Sequence, residues 1–194
     1  MPRTQEDRRR STRSALLAAG RRLFAERGYA NVSADEIVAA AGLTRGALHH
    51  HYKDKQGLFQ AVFEQIEQEL DDELGAAMGR VDDVPTRMGV GIASFLDICE
   101  RPEVVRIGLL DAPTVLGWET WRAIEAQHAL GLIENLLAGA AEEGILNQPA
   151  SPVLARFVLS VVIESALLIA HGTATRAEVE LSLGALFAGL LTSK

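Results

Sequence analysis

A chain of 194 residues with 48% apolar and 23% charged residues is long enough to bury a real core, and fits a small domain joined to a mid-sized one. Few Gly and Pro and ordinary charge exclude a disordered, collagen-like or coiled-coil chain, and the single cysteine, Cys99, excludes an internal disulfide and fits a reducing compartment. The net charge of -7 is unevenly spread: residues 1–55 hold 11 Lys+Arg against 6 Asp+Glu, a net +5, and the remainder 8 against 20, a net -12.

A basic head on an acidic body binds a polyanion through one end only, although charge alone fits a merely solvated basic tail equally well. The opening MPRTQEDRRRSTRS has no apolar segment behind its charges, so it does not read as a secretory signal, and a cytoplasmic location is expected.

Apolar residues recur at three and four rather than two, which predicts an all-α fold of about nine helices. The first, Glu6 to Arg27, gathers Leu16, Gly20, Leu23 and Phe24 on one face and is closed by Gly28. Ser33 and Glu36 form a capping box for the second, and Gly42 supplies a left-handed turn. Thr44 caps a third through Tyr52, and Asp54 caps a long fourth through Leu70, with Gly75, Gly79 and Val81 to Pro85 marking its end.

A helix from Thr86 to Glu100 follows, then a shorter one from Pro102 to Asp111 that Pro113 is expected to stop. Trp118 to Glu142, ended by Gly144, Ser151 to Ala170, and a last helix from the Thr175/Glu178 capping box through Leu191 complete the chain. The run Val153 to Ala170 is about as long as a bilayer-spanning helix. Arg156, Ser160, Glu164 and Ser165 lie inside it, so no membrane partner is expected; a helix buried on one side by its own domain and on the other by a partner subunit is.

Two short helices joined by a glycine turn make the unit in which one helix crosses the DNA backbone and the other enters the major groove. From Leu23 to Phe59 the chain reads LFAERGYANVSADEIVAAAGLTRGALHHHYKDKQGLF, which closely resembles the DNA-binding domain of TetR-family repressors. The resemblance covers about residues 10 to 63. It implies double-stranded operator DNA as partner, with Ser33 facing phosphate, Thr44, Arg45, Gly46, Ala47, His49 and His50 lining the groove face, and Lys55 holding phosphate at a helix start. Arg45 reads guanine through its two parallel donors or contacts phosphate only; both readings stay open.

His49 and His50 stand where the family most often has two tyrosines, a change that bears on contact chemistry and makes DNA affinity rise on acidification if these imidazoles meet phosphate. The run His49 to His51 resembles a metal cluster, but consecutive helical residues point in different directions, so no metal or other cofactor is expected. A histidine is common in the family at His51, which implies packing or capping there.

With a DNA-binding domain at residues 1–55, residues 56–194 are expected to sense a small-molecule effector and to dimerise. Trp118, Trp121, Glu125 and His128 form one stripe at helical spacing, and Ser160, Glu164 and His171 another. They read as a pocket for a neutral or cationic ligand, or as packing with a satisfied ion pair or an exposed edge. Val161, Leu168, Gly184, Phe187 and Leu190 on the last two long helices resemble the family's four-helix dimer interface.

The mechanism the resemblance implies is a repressor: effector shifts the helix around Val104 to Leu110, displaces the long fourth helix and moves the reading heads apart. No nucleophile with a paired base, metal spacing or phosphate loop is present, so no enzyme is expected. The competing reading is a helical interaction module that uses its basic arm on acidic proteins.

Overall fold

The computed structural model describes residues 5–192; Arg3, counted above in the basic head, lies outside them. Among the described residues the fold is all-helical: α1 Gln5–Arg27, a 3-10 turn Tyr29–Asn31, α2 Ala34–Ala40, α3 Arg45–Tyr52, α4 Lys55–Met78 and α5 Val84–Cys99. There follow α6 Pro102–Val104, a π-helical stretch Val105–Asp111, α7 Ala112–Leu116, α8 Trp118–Glu142, α9 Pro152–Ala170 and α10 Arg176–Ala188.

The helix starts follow from short polar side chains. Ser33 accepts from the amide of Glu36, whose carboxylate reaches back, and Thr175 and Glu178 repeat the box. Thr44, Asp83 and Ser151 each take the amide three residues on, and Asp54 takes that of Gly57 at 2.8 Å. Each such cap satisfies one of the four amides a helix leaves orphaned. The chain leaves α1 through Gly28 at φ 76° and α7 through Gly117 at φ 80°, a backbone state that side chains resist.

The chain divides into two compact units, one made of the part up to Ile66 together with Pro102–Trp121, the other of Glu67–Arg101 and Arg122–Lys194. A boundary after residue 55 is therefore not where the chain divides. The reason is physical: Leu58, Phe59, Val62, Phe63 and Ile66 of α4 are buried, and α4 continues unbroken past them.

In the first unit α1 packs on α2 and α3. Phe24 meets Phe59 edge-on at 5.2 Å and Tyr29 meets Phe59 at 5.1 Å. Three contacts fasten the inserted segment Pro102–Trp121 to the rest of this unit. Arg21 pairs with Glu103, the Tyr29 amide donates to Asp111 Oδ2 at 2.7 Å, and Gln56 Nε2 donates to the Val115 carbonyl at 2.8 Å.

Pro113 does not stop this segment. It falls in the first turn of α7, where a missing amide N–H costs nothing, after the π-helical stretch has shifted the hydrogen-bond register; the segment ends at Gly117 instead.

In the second unit α5 packs against α9 and α10 over a core of Val84, Met88, Leu96, Ala140, Val179, Leu183 and Phe187. Among the described residues α9 is long and apolar enough to cross a membrane by length and composition. One side of it, with Leu154, Ala155, Leu159, Ile163 and Ala166, is buried in this unit, while Val153 and Phe157 on the other are 59% and 65% exposed.

Gly57 tests the local fit. A Cβ there would sit 2.1 Å from the backbone oxygen of Tyr52, which cannot rotate away. Gly57→Ala is expected to destabilise the first unit by about 1–3 kcal/mol or more, the range for overpacking, read as a lowered midpoint in urea unfolding followed by far-UV circular dichroism.

Candidate nucleic-acid interface and effector site

Helix α3 turns Leu48 and Tyr52 inward and leaves Arg45, Gly46, His49 and His50 exposed, with Ala47 half-buried. The Tyr52 hydroxyl donates to the Arg13 carbonyl at 3.0 Å, and the Arg13 guanidinium lies 5.9 Å from the Tyr52 ring. A side chain that is buried at the ring and bonded at the tip fixes the rotation of α3, and so decides which residues face outward. A Cβ at Gly46 would meet only the Thr44 hydroxyl, at 3.7 Å, leaving the backbone of the first turn open to close approach.

Several expected contacts are already engaged within the protein. The Ser33 hydroxyl donates to Glu36 Oε2 at 2.7 Å while accepting that residue's amide, so its proton is held by the capping box. Glu36 is held down to about 2 by the Ser33 amide first and by Arg27 next. Lys55 Nζ donates to the carbonyls of Tyr29 and Val32 at 3.0 and 2.8 Å and lies 3.8 Å from the Tyr29 ring centre, so it ties the 3-10 turn to the start of α4. Two of its three donors are thereby used, which leaves one for phosphate.

His49 Nδ1 lies 2.7 Å from the Lys53 carbonyl, which makes Nδ1 the protonated nitrogen and Nε2 the outward one. The His50 and His51 rings meet edge-on at 5.0 Å. His51 is held toward its neutral form by burial, then by His50, Arg9 and Arg13. Arg9 and Arg13, one turn apart on α1, thus face the end of α3, a feature not read from the sequence because it needs the α1–α3 packing. Arg45 bonds Asp35 of α2.

The expected effector residues separate. Trp118 and Trp121 belong to the first unit, their rings 5.0 Å apart; Trp121 is fully buried and its indole N–H has no hydrogen-bond partner among the described residues, whereas Trp118 is 63% exposed. Glu125, His128, Ser160 and Glu164 belong to the second unit. There Arg122 donates to Glu125 at 3.1 Å and to Ser160 Oγ at 3.1 Å. Glu164 and Ser160 are exposed, so the second stripe is an outward edge of α9, because the apolar contacts of α9 lie on its other side.

Two acids on α4 that sequence reading missed lie along this face: Glu67, which faces Glu125, and Asp71, which faces Glu67 and His128. Burial pushes Glu67 up to about 7, with Asp71 adding to it, and Glu125 up to about 8, with Glu67 adding and Arg122 opposing. Asp71 is raised by burial and lowered by His128, and one of its oxygens is buried without a partner among the described residues. A Cβ at Gly75 would meet Leu132 at 3.7 Å. Glu67, Asp71 and Gly75 therefore run level with Glu125, His128 and Leu132, in steps of four on one helix and of three and four on the other, as parallel packed helices require. A cleft of about 230 Å³ in the same unit is lined elsewhere, by Glu134, Leu137, Ala150, Ser151 and Pro152.

The expected pairing residues also divide. Phe187 is buried in its own unit, and Leu190, like Val161, packs partly buried against that core. Leu168 is half-buried, and Gly184 is exposed with open space at its Cβ. The apolar face that α10 presents outward is instead Leu181 and Leu186, 77% and 56% exposed, among small residues. Leu183 and Phe187 turn inward because the four-residue step from Val179 places all three on the core side.

A capped helix-turn-helix with a polar, basic outer face, joined to a larger helical unit, defines a DNA-binding transcription regulator. The model described as "Bacterial regulatory proteins, tetR family" matches residues 16–62, and "Tetracyclin repressor-like, C-terminal domain" matches residues 85–190. The chain belongs to the TetR family, a family of transcriptional regulators and not of enzymes. A crystal structure of a TetR-family transcriptional regulator from Pectobacterium atrosepticum is 34% identical, covers 98% of this chain and 99% of its own, and superposes with a TM-score of 0.86.

The Transposon Tn10 TetC protein of Escherichia coli is 26% identical over 77% of this chain and 76% of its own. The transcriptional regulator AcrR of Shigella flexneri is 39% identical over 36% of this chain and 33% of its own.

The acid pair makes stability depend on pH. Folded Glu67 and Glu125 keep protons to about 7 and about 8 that the unfolded chain releases near 4.5. The stabilisation is fully present below about 4.5 and is lost as pH rises through the folded values. Glu67→Gln is expected to flatten the fall in urea midpoint between about pH 5 and 8, retaining on the order of 2 kcal/mol at the alkaline end. A wild-type midpoint that does not fall across this range would contradict the assignment.

Proposed function

We propose that this regulator is a homodimeric repressor acting in the cytoplasm, that its two α3 helices read an inverted-repeat operator, and that a small-molecule effector releases it. The observation that carries the pairing is the unpartnered apolar surface of α9 and α10, with Val153, Phe157, Leu181 and Leu186 each more than half exposed. A soluble monomer has no use for a surface of this kind, and a twofold repeat of it fits the symmetry of a palindromic site whose half-sites lie about 34–36 Å apart.

On each reading head Thr44, Arg45, Gly46, Ala47, His49 and His50 meet the groove, and Lys55 adds a phosphate contact through its remaining donor. With Nδ1 of His49 engaged by the Lys53 carbonyl, Nε2 is the ring nitrogen left facing outward.

The effector reading rests on the interior acids. Glu67 and Glu125, with Asp71 beside Glu67, outnumber the Arg122 guanidinium that bonds Glu125, which favours a neutral or cationic molecule over an anion. The tryptophans, His128, Ser160 and Glu164 keep their place in the reading only as neighbours along α8 and α9. Release requires that effector bind the DNA-incompetent state better; a coupling of about 1–3 kcal/mol weakens operator binding by about 5- to 150-fold.

Two measurements test this. Selection from random duplexes should return an inverted repeat, bound with an affinity that falls steeply with salt; equal binding to every duplex would sink the operator reading. In sedimentation the wild-type protein should be a dimer at micromolar concentration. Leu181→Asp with Phe157→Asp should leave a folded monomer with at least about tenfold weaker operator binding, and a wild-type monomer would sink the pairing.

A further inference from the structure

Asp35 lies in the first turn of α2 and Arg45 is the first residue of α3, ten positions apart and brought together by the turn at Gly42. Arg45 Nε donates to Asp35 Oδ1 and Arg45 Nη2 to Asp35 Oδ2, a fork-to-fork pair with both side chains more than three-fifths exposed. We infer that Asp35 is a specificity-determining positioning residue: it clamps Arg45 along one edge, so that the guanidinium meets the major groove end-on and reads guanine. The inference deepens the reading of α3 given above and rests on it.

The chemistry follows from counting donors. A guanidinium has five N–H groups in a rigid plane. The Nε/Nη2 edge is taken by the carboxylate, which leaves the Nη1/Nη2 end, whose two parallel N–H groups match the O6 and N7 acceptors of guanine. A free arginine at the start of a helix has many rotamers and reaches phosphates as readily as bases. A clamped one has already given up that freedom and presents its donors in one direction, so the order lost on binding is smaller. Arg45 holds the Asp35 carboxyl below the usual carboxylate range, so the clamp is ionised at neutral pH.

Fold stability is a poor account of the pair, since exposed ion pairs contribute little. Affinity is a poorer one, because a carboxylate beside a polyanion repels it. Specificity is what such a pair serves: the acid cancels part of the arginine's indiscriminate attraction to phosphate and keeps its directional part.

The test is duplex selection followed by competition binding with the full-length dimer, comparing wild type, Arg45→Ala, Asp35→Ala and the double variant. Arg45→Ala should lose the preference for one G·C pair in each half-site by about 5- to 100-fold. Asp35→Ala should relax the same pair by a smaller factor while binding random duplexes more tightly, with an unchanged melting temperature. The double variant should be no more relaxed there than Arg45→Ala alone, as two residues acting in series require.

Asp35→Ala with the wild-type preference intact overturns the clamp. So does loss of preference at a different base pair, which would make Asp35 itself a reader, through cytosine N4. If Arg45→Ala leaves every position unchanged while wild type still selects a site, Arg45 is no reader and the clamp falls, with the operator reading standing. If wild type selects nothing, both fall.

Discussion

An eight-residue helix has almost no stability of its own in water, because nucleation costs more than one or two turns of hydrogen bonds return. Everything this protein does on DNA depends on α3 being there regardless, and what holds it is the burial of Leu48 and Tyr52 against the first unit. Those two residues are four apart, so burying them points the positions between and before them outward. Thr44 holds the first turn, and the Tyr52 hydroxyl, bonded to the Arg13 carbonyl, holds the last. The outward face of α3 is thus a by-product of packing: Arg45, Gly46, His49 and His50 are exposed because Leu48 and Tyr52 are buried.

The second unit works under the opposite constraint. Its core is apolar, yet α4 and α8 bring Glu67 against Glu125, with Asp71 one turn along beside His128 and Arg122 the cation that bonds Glu125. Burying ionised carboxyls this way costs several kcal/mol each, and the chain meets the cost by keeping two of them protonated near neutrality. A group held at the edge of its ionisation responds strongly to anything that brings charge or excludes water beside it. The core around Val84, Leu96 and Leu183 is apolar by contrast.

What was legible in the sequence is what depends on near neighbours. The capping boxes of Ser33 with Glu36 and of Thr175 with Glu178, the turns at Gly28 and Gly42, and the extent of α8 all rest on residues a few positions apart, and each stands as read. Misreadings came where a distant element decides. Phe187 looked like part of a face for a partner, but α5 already occupies that side of α10. The stripe of Ser160 and Glu164 left a pocket wall and an exposed edge both open, and it is the edge, because the apolar contacts of α9 take one side only. Asp35, Glu67, Asp71 and Arg13 carried no signal at all, since each has its meaning from a residue on another helix.

The boundary of the DNA-binding unit shows the same limit at a larger scale. Motif matching ends that domain near residue 62, whereas physically it includes Pro102–Trp121, which reaches it only after α5 has been made. The Tyr29 amide has its acceptor in Asp111, and Arg21 its partner in Glu103. The inserted segment is joined covalently to the second unit at both ends, at Arg101 and at Arg122. Its π-helical turn, a geometry less favourable than an ordinary helix, lies inside it. The segment between these junctions is bonded directly to the 3-10 turn before α2, and Lys55 grips the Tyr29 and Val32 carbonyls at that turn. A lysine expected to hold phosphate is thereby also the tie between that turn and the start of α4.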